Sequence, residues 1–230
     1  MIDHARNSAP DALLAVLVAD LAPVRPVRLA RTVAVAVALE VAAVLLASWL
    51  LGAHVAAIER LADPMFAALL LVLAAGAVAS AATMAKLSIP GRSVTAGVRV
   101  GVLAVPVVVA AVVVAISPWG GTWTGFAAVF TEGIGCTLHT IVVATPAWLV
   151  GLLYLRRLAP LDPLGVGLFS ACTALLTAAL AVQMACPSCD SWHLAISHYA
   201  PIVLASFVAA LLSPSILRPR KSGTGVHFQR

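Results

Sequence analysis

The chain has 230 residues, 62% of them hydrophobic and 10% charged, with a formal net charge of +5 and a mean hydropathy of +1.07. A soluble domain carries roughly 25% charged residues, so there are too few polar side chains here to cover a water-soluble globule. Strict period-two alternation is absent, which argues against a membrane barrel. What remains is an all-α, polytopic membrane protein, in which positive charge reports topology rather than nucleic-acid binding.

The first expected element precedes the membrane. Ser8 is a suitable N-cap and Asp11 sits in the first turn, where it complements the helix dipole. Leu13, Leu14, Leu17, Val18 and Leu21 then form an apolar stripe at helical spacing, with Asp11 and Asp20 at its edges. Pro23 and Pro26 stop the helix. A helix of about a dozen residues is marginal alone in water, so the stripe needs a surface. Interfacial helices usually carry lysine or arginine on the polar face, whereas this segment has only acids before Arg25. A protein groove that takes helix anchors fits the composition better than the bilayer does.

Six apolar runs of about span length follow. The pattern predicts spans at Arg31–His54, Pro64–Leu87, Val98–Pro118, Gly135–Leu155, Leu164–Ala185 and Ile196–Leu217. Short connections make them one bundle. The organisation is thus an N-terminal segment (1–30), a six-helix membrane domain (31–217) and a basic tail (218–230). The apolar runs continue along the chain and the N-terminus holds acids, so no cleaved signal peptide is expected. Glu40 lies inside the first span, where the expected state is a protonated carboxyl bonded to a neighbouring helix. Gly97 and Gly101 form a GxxxG expected to serve helix packing. Pro106, Pro146 and Pro201 are expected kinks.

Thirteen of the fourteen lysines and arginines fall on one side of this bundle. The opposite connections, residues 55–63, 119–134 and 186–195, contain only Arg60. That bias predicts cytoplasmic N- and C-termini in a bacterial inner membrane. The other side would be an oxidising compartment. Trp119, Trp123, Phe126, Phe130 and Trp192 fall there and read as an interface belt.

Scarce residues converge on that outer layer. Cys136 and His139 stand at i, i+3 in GCTLHT, a spacing that places both on one helix face. Cys186 and Cys189 form a CxxC, followed by His193 and His198. Three readings are open: a structural disulfide from Cys136 to Cys186 or Cys189, a soft or borderline metal such as zinc, copper(I) or cadmium held by thiolate and imidazole, or reversible thiol oxidation. The tentative metal set is Cys136, His139, Cys186 and Cys189. Cys172, near the middle of the fifth span, reads as a core thiol.

The order of motifs resembles the NrsF family, membrane-bound negative regulators of an extracytoplasmic-function sigma factor. The resemblance rests on ADLAPVRPV before the first span, SIPG between the second and third, GCTLHT, the LRRLAP turn with its following glycines, and ACP with a late HY. It implies an anti-sigma factor whose N-terminal segment binds the sigma factor and whose outer cysteines sense metal or oxidative stress. Cys136 and Cys186 occupy the matching positions. The chain departs in adding Cys189 and in having Ala185 where the family pattern has histidine. A membrane thiol oxidoreductase would need two dithiol pairs for a relay, and only three cysteines lie outside. A metal transporter would need ligands deeper along a path, and only Glu40, Cys172 and Met84 are available. Neither accounts for the N-terminal stripe. No nucleophile–base pair, phosphate loop or nucleic-acid motif is present, so a non-enzyme is expected.

Overall fold

The computed structural model describes residues 14, 18, 28–52, 59–116, 123, 125–158, 160–188 and 190–217. Among these there is no strand, and six helices are long and apolar enough to cross a bilayer. They are α1 Leu29–Leu50, α2 Pro64–Leu87, α3 Ala96–Ile116, α4 Phe126–Leu155, α5 Pro163–Ala185 and α6 Ser191–Leu217. Helices satisfy every backbone polar group within one segment, which an apolar solvent demands. The chain is a multi-pass membrane protein.

The termini of the helices are chemically marked. Asp63 caps α2 by accepting from the Met65 N–H at 2.8 Å, with Pro64 in the first turn. Asp162 caps α5 in the same way, accepting from the Gly165 N–H at 2.9 Å ahead of Pro163. Its other oxygen meets Arg99 Nη1 of α3 at 2.9 Å, which ties two helix starts together at the basic end of the bundle.

Helix α5 is the hub. Most of its residues are buried, because GVGLFSACTALLTAAL offers small side chains that let neighbours approach closely. At Gly167 a Cβ would fall 2.0 Å from Ser213 Oγ of α6. Around it, Leu69 and Leu73 of α2, Val109 and Val113 of α3, Ala144 of α4 and Tyr199 and Ile202 of α6 complete the core. The Tyr199 hydroxyl donates to Gln183 Oε1 at 2.9 Å inside that core. By contrast, α1 is largely exposed along its length.

Several expected boundaries move. Helix α4 begins at Phe126 rather than Gly135, with Thr131 and Glu132 exposed on its first turns. Helix α6 begins at Ser191 rather than Ile196, capped by Asp190. The described part of α1 ends at Leu50, where Gly52 takes a φ of 71°. A Cβ at Gly97 or Gly101 would meet nothing within 4 Å, so the expected GxxxG does not pack against another helix of this chain. In the N-terminal segment, Leu14 and Val18 have helical backbone and are 57% and 61% exposed. Leu13, Leu17, Leu21, Trp119, Cys189 and the tail 218–230 lie outside the described residues.

Candidate thiol and imidazole site

The connections α1–α2, α3–α4 and α5–α6 share one end of the bundle, and the site is there. Cys136 comes from α4. Cys186 is the residue that terminates α5. His193 and His198 come from the start of α6. One donor atom from each lies within 4.8 Å of all the others. Cys136 Sγ and Cys186 Sγ are 3.5 Å apart, and Cys186 Sγ is 3.4 Å from His193 Nε2. Cys186 and His193 are buried, and His198 is fully buried.

Local helix geometry brings the two histidines together. In an α-helix each residue turns about 100°, so residues five apart stand about 140° from one another. Here Leu194–Tyr199 is a π-helical segment. Its i→i+5 bonding places His193 and His198 one turn apart on the same side, with ring centroids 5.4 Å apart. Pro201 favours the irregularity, because it has no N–H to offer the Ser197 carbonyl four residues earlier. The Thr137 hydroxyl of α4 donates to that carbonyl at 3.0 Å. The two helices approach closely at this point: a Cβ at Gly133 would lie 1.7 Å from Ser197 Oγ and 3.3 Å from His193 Nδ1. Asp190 fixes the entry to α6 by accepting from the His193 N–H at 2.8 Å.

Arg60 fixes the other side. Its guanidinium donates to the Cys186 carbonyl and to the Pro187 carbonyl at 3.1 Å. The one basic residue in the connections at this end therefore holds the backbone of the α5–α6 turn. Trp123 and Trp192 pack at this end with centroids 4.7 Å apart.

The electrostatics favour thiolate at Cys186. The Cys136 thiol, and after it the His193 and His198 imidazoles, hold the Cys186 thiol well below the usual range, against the opposing effect of burial. The thiolate is the form that binds metal and reacts.

The residues fit a four-coordinate soft or borderline ion. At a tetrahedral centre with metal–sulfur bonds of about 2.3 Å, two sulfurs stand roughly 3.8 Å apart, close to the 3.5 Å here. Both ring nitrogens of His198 are buried without a hydrogen-bond partner, a costly state that a ligand would relieve. The same sulfur pair is also near enough to oxidise to a disulfide after a shift of about 1.5 Å. In the described structure Cys136 and Cys186 are free thiols.

Of the expected ligands, Cys136, Cys186, His193 and His198 come together. His139 does not. Gly133, Thr137 and Thr140 form the inward face of α4, and His139 lies past its edge, exposed, beside Leu46 and Leu50 of α1. The i, i+3 argument failed because Cys136 already stands at one margin of that face. Cys172 is buried in the core, as expected of an apolar thiol. Arg60, Gly133, Thr137 and Ser197 were not recognised from the sequence. Arg60 carried a signal, since it is the lone exception to the charge bias.

A family model described as NrsF, negative regulator of sigma F, matches residues 17–218. Comparison with curated proteins and with solved structures gave no match.

Proposed function

The chain belongs to the NrsF family of negative regulators of sigma F, and from that premise we propose that it is a membrane-bound anti-sigma factor switched by metal. Its N-terminal segment holds an extracytoplasmic-function sigma factor, and Cys136, Cys186, His193 and His198 receive the signal as a zinc, cadmium or copper(I) ion. The observation that carries the sensing part is the convergence of four soft or borderline donors within 4.8 Å, with His198 buried and unpartnered among them.

The charge bias supports an arrangement with both termini cytoplasmic and the thiol end outside, in a bacterial inner membrane. The site draws on α4, the end of α5 and the start of α6, so an ion preferring one arrangement of these three biases the bundle. The exposed pair Leu14 and Val18, one helical turn apart, supports a docking stripe that includes Leu13, Leu17 and Leu21. When bound, the ion would tie three elements into one coordination sphere. The protein's part is to hold thiolate at Cys186, orient both imidazoles through the π segment and keep water out. A second reading, oxidation of Cys136 and Cys186 to a disulfide, is favoured by their 3.5 Å separation. It does not use the histidines.

The test is co-expression with the sigma factor and purification of the full chain in detergent. The complex should survive purification and dissociate on addition of zinc or cadmium. Leu14→Asp with Val18→Asp should abolish co-purification. Retention of the partner by that double variant sinks the docking claim, and dissociation by a peroxide but by no metal shifts the signal to oxidation.

A further inference from the structure

The thiol end of the bundle carries a charge pattern that topology does not explain. Its connections hold four acids, Glu59, Asp63, Glu132 and Asp190, against one base, Arg60. Lysine and arginine set topology, and acids contribute little to it. Arg60 is committed to the Cys186 and Pro187 carbonyls. The donor set is thus surrounded by net negative charge. Of the four donors, Cys186, His193 and His198 are buried and Cys136 is part-exposed, so an ion from outside the bundle arrives over Cys136. Glu132 stands four residues earlier on α4 and is exposed. At that spacing side chains are neighbours on one helix face, with Cβ atoms about 5–6 Å apart. Its neighbour Gly133 is where α4 meets His193, since a Cβ there would lie 3.3 Å from Nδ1. The Asp190 and Glu132 carboxylates both act on the His193 imidazole through space. Asp190 is half-buried and already accepts from the His193 N–H at 2.8 Å. Glu132 has no ion-pair partner among the described residues, which leaves it as the exposed, unpaired carboxylate beside Cys136.

We propose that Glu132 draws hydrated divalent cations onto Cys136 and so makes the thiol site selective for such ions over oxyanions. The inference rests on the metal reading of that site. The carboxylate acts before coordination. It raises the local concentration of cations at the part-exposed thiol and is left behind when the ion moves in among the buried donors. A dication about 6 Å from one negative charge in water is favoured about sevenfold at 10 mM salt. The factor falls to about threefold at 0.15 M, where the Debye length has shrunk from about 30 Å to about 8 Å.

The probe is cobalt(II) alone, mixed by stopped flow with the reduced full chain in nanodiscs of zwitterionic lipid. Uptake is followed by the thiolate charge-transfer band. Glu132→Gln should slow uptake about sevenfold at 10 mM salt and about threefold at 0.15 M, and Glu132→Lys by about the square of each factor. Glu132→Asp keeps the charge and should stay within about twofold of wild type. Release into excess chelator should keep the wild-type rate in every variant, because Glu132 is not a ligand. Equal uptake by wild type and Glu132→Gln, or a slowing that does not shrink with salt, overturns the proposal and leaves the metal reading standing. Faster release from Glu132→Gln makes the carboxylate a ligand and overturns it as well. A wild-type chain that takes up no cobalt overturns the metal reading itself, and the proposal with it.

Discussion

Gly133→Ala tests whether the close approach of α4 to the π segment builds the metal site. The added Cβ would lie 1.7 Å from Ser197 Oγ and 2.5 Å from Ser197 Cβ. The hydroxyl can rotate away, but the Cβ is fixed by the backbone. Restoring an ordinary contact of 3.4 Å from 2.5 Å requires the two helices to part by about 0.9 Å, since packed neighbours absorb added volume by moving. Cys136 stands one turn along α4 from Gly133, and both its thiol and His193 would be displaced. Metal–donor distances hold only within about 0.2 Å, so the shift is several times the tolerance. The expected loss of metal affinity is about 10- to 100-fold, the range seen when the supports of a ligand are disturbed. Cobalt(II) titration of the detergent-purified chain reads it directly, through the thiolate charge-transfer band and by competition with zinc. Ser197→Gly removes both clashing atoms and should restore binding in the double variant, whereas Ser197→Ala keeps the Cβ and should not. Wild-type cobalt affinity in Gly133→Ala, or equal rescue by alanine and glycine at 197, refutes the reasoning.

Three further outcomes are expected. Arg60→Gln frees the Cys186 and Pro187 carbonyls and should lower cobalt affinity by about tenfold, on the scale of lost ligand supports, with Arg60→Lys in between; an unchanged titration curve for Arg60→Gln removes Arg60 from the site. Cys136→Ser should leave the sigma factor bound and make the complex insensitive to zinc or cadmium, and metal-driven dissociation in that variant removes Cys136 from the sensor. Tyr199→Phe deprives Gln183 Oε1 of its donor; side-chain hydrogen bonds inside membrane bundles average about 0.6 kcal/mol, with a maximum near 1.7, so unfolding in detergent should report a loss within that range, and a loss beyond twice that maximum means that the hydroxyl holds more than one contact.

Composition alone determined the fold class, because a chain with so few charges has no soluble solution and lipid admits only self-satisfied backbone. Span number and approximate placement followed from the length of the apolar runs. Asp63–Pro64 and Asp162–Pro163 marked helix starts by cap chemistry that is local in the sequence. The thiol layer was legible too, since cysteine and histidine are rare and recur near the ends of spans that meet at one side of the bundle. Which of those residues meet was decided by tertiary structure. Periodicity assumes an α-helix, and under that assumption His193 and His198 face apart. The π segment, stabilised where Pro201 withholds an N–H and Thr137 takes the spare carbonyl, turns them to one side. His139 fell out for the complementary reason: a spacing rule gives the angle between two side chains but not which of them faces the neighbouring helix. Arg60 reaches a carbonyl 126 positions away in the chain, a contact that no local pattern encodes.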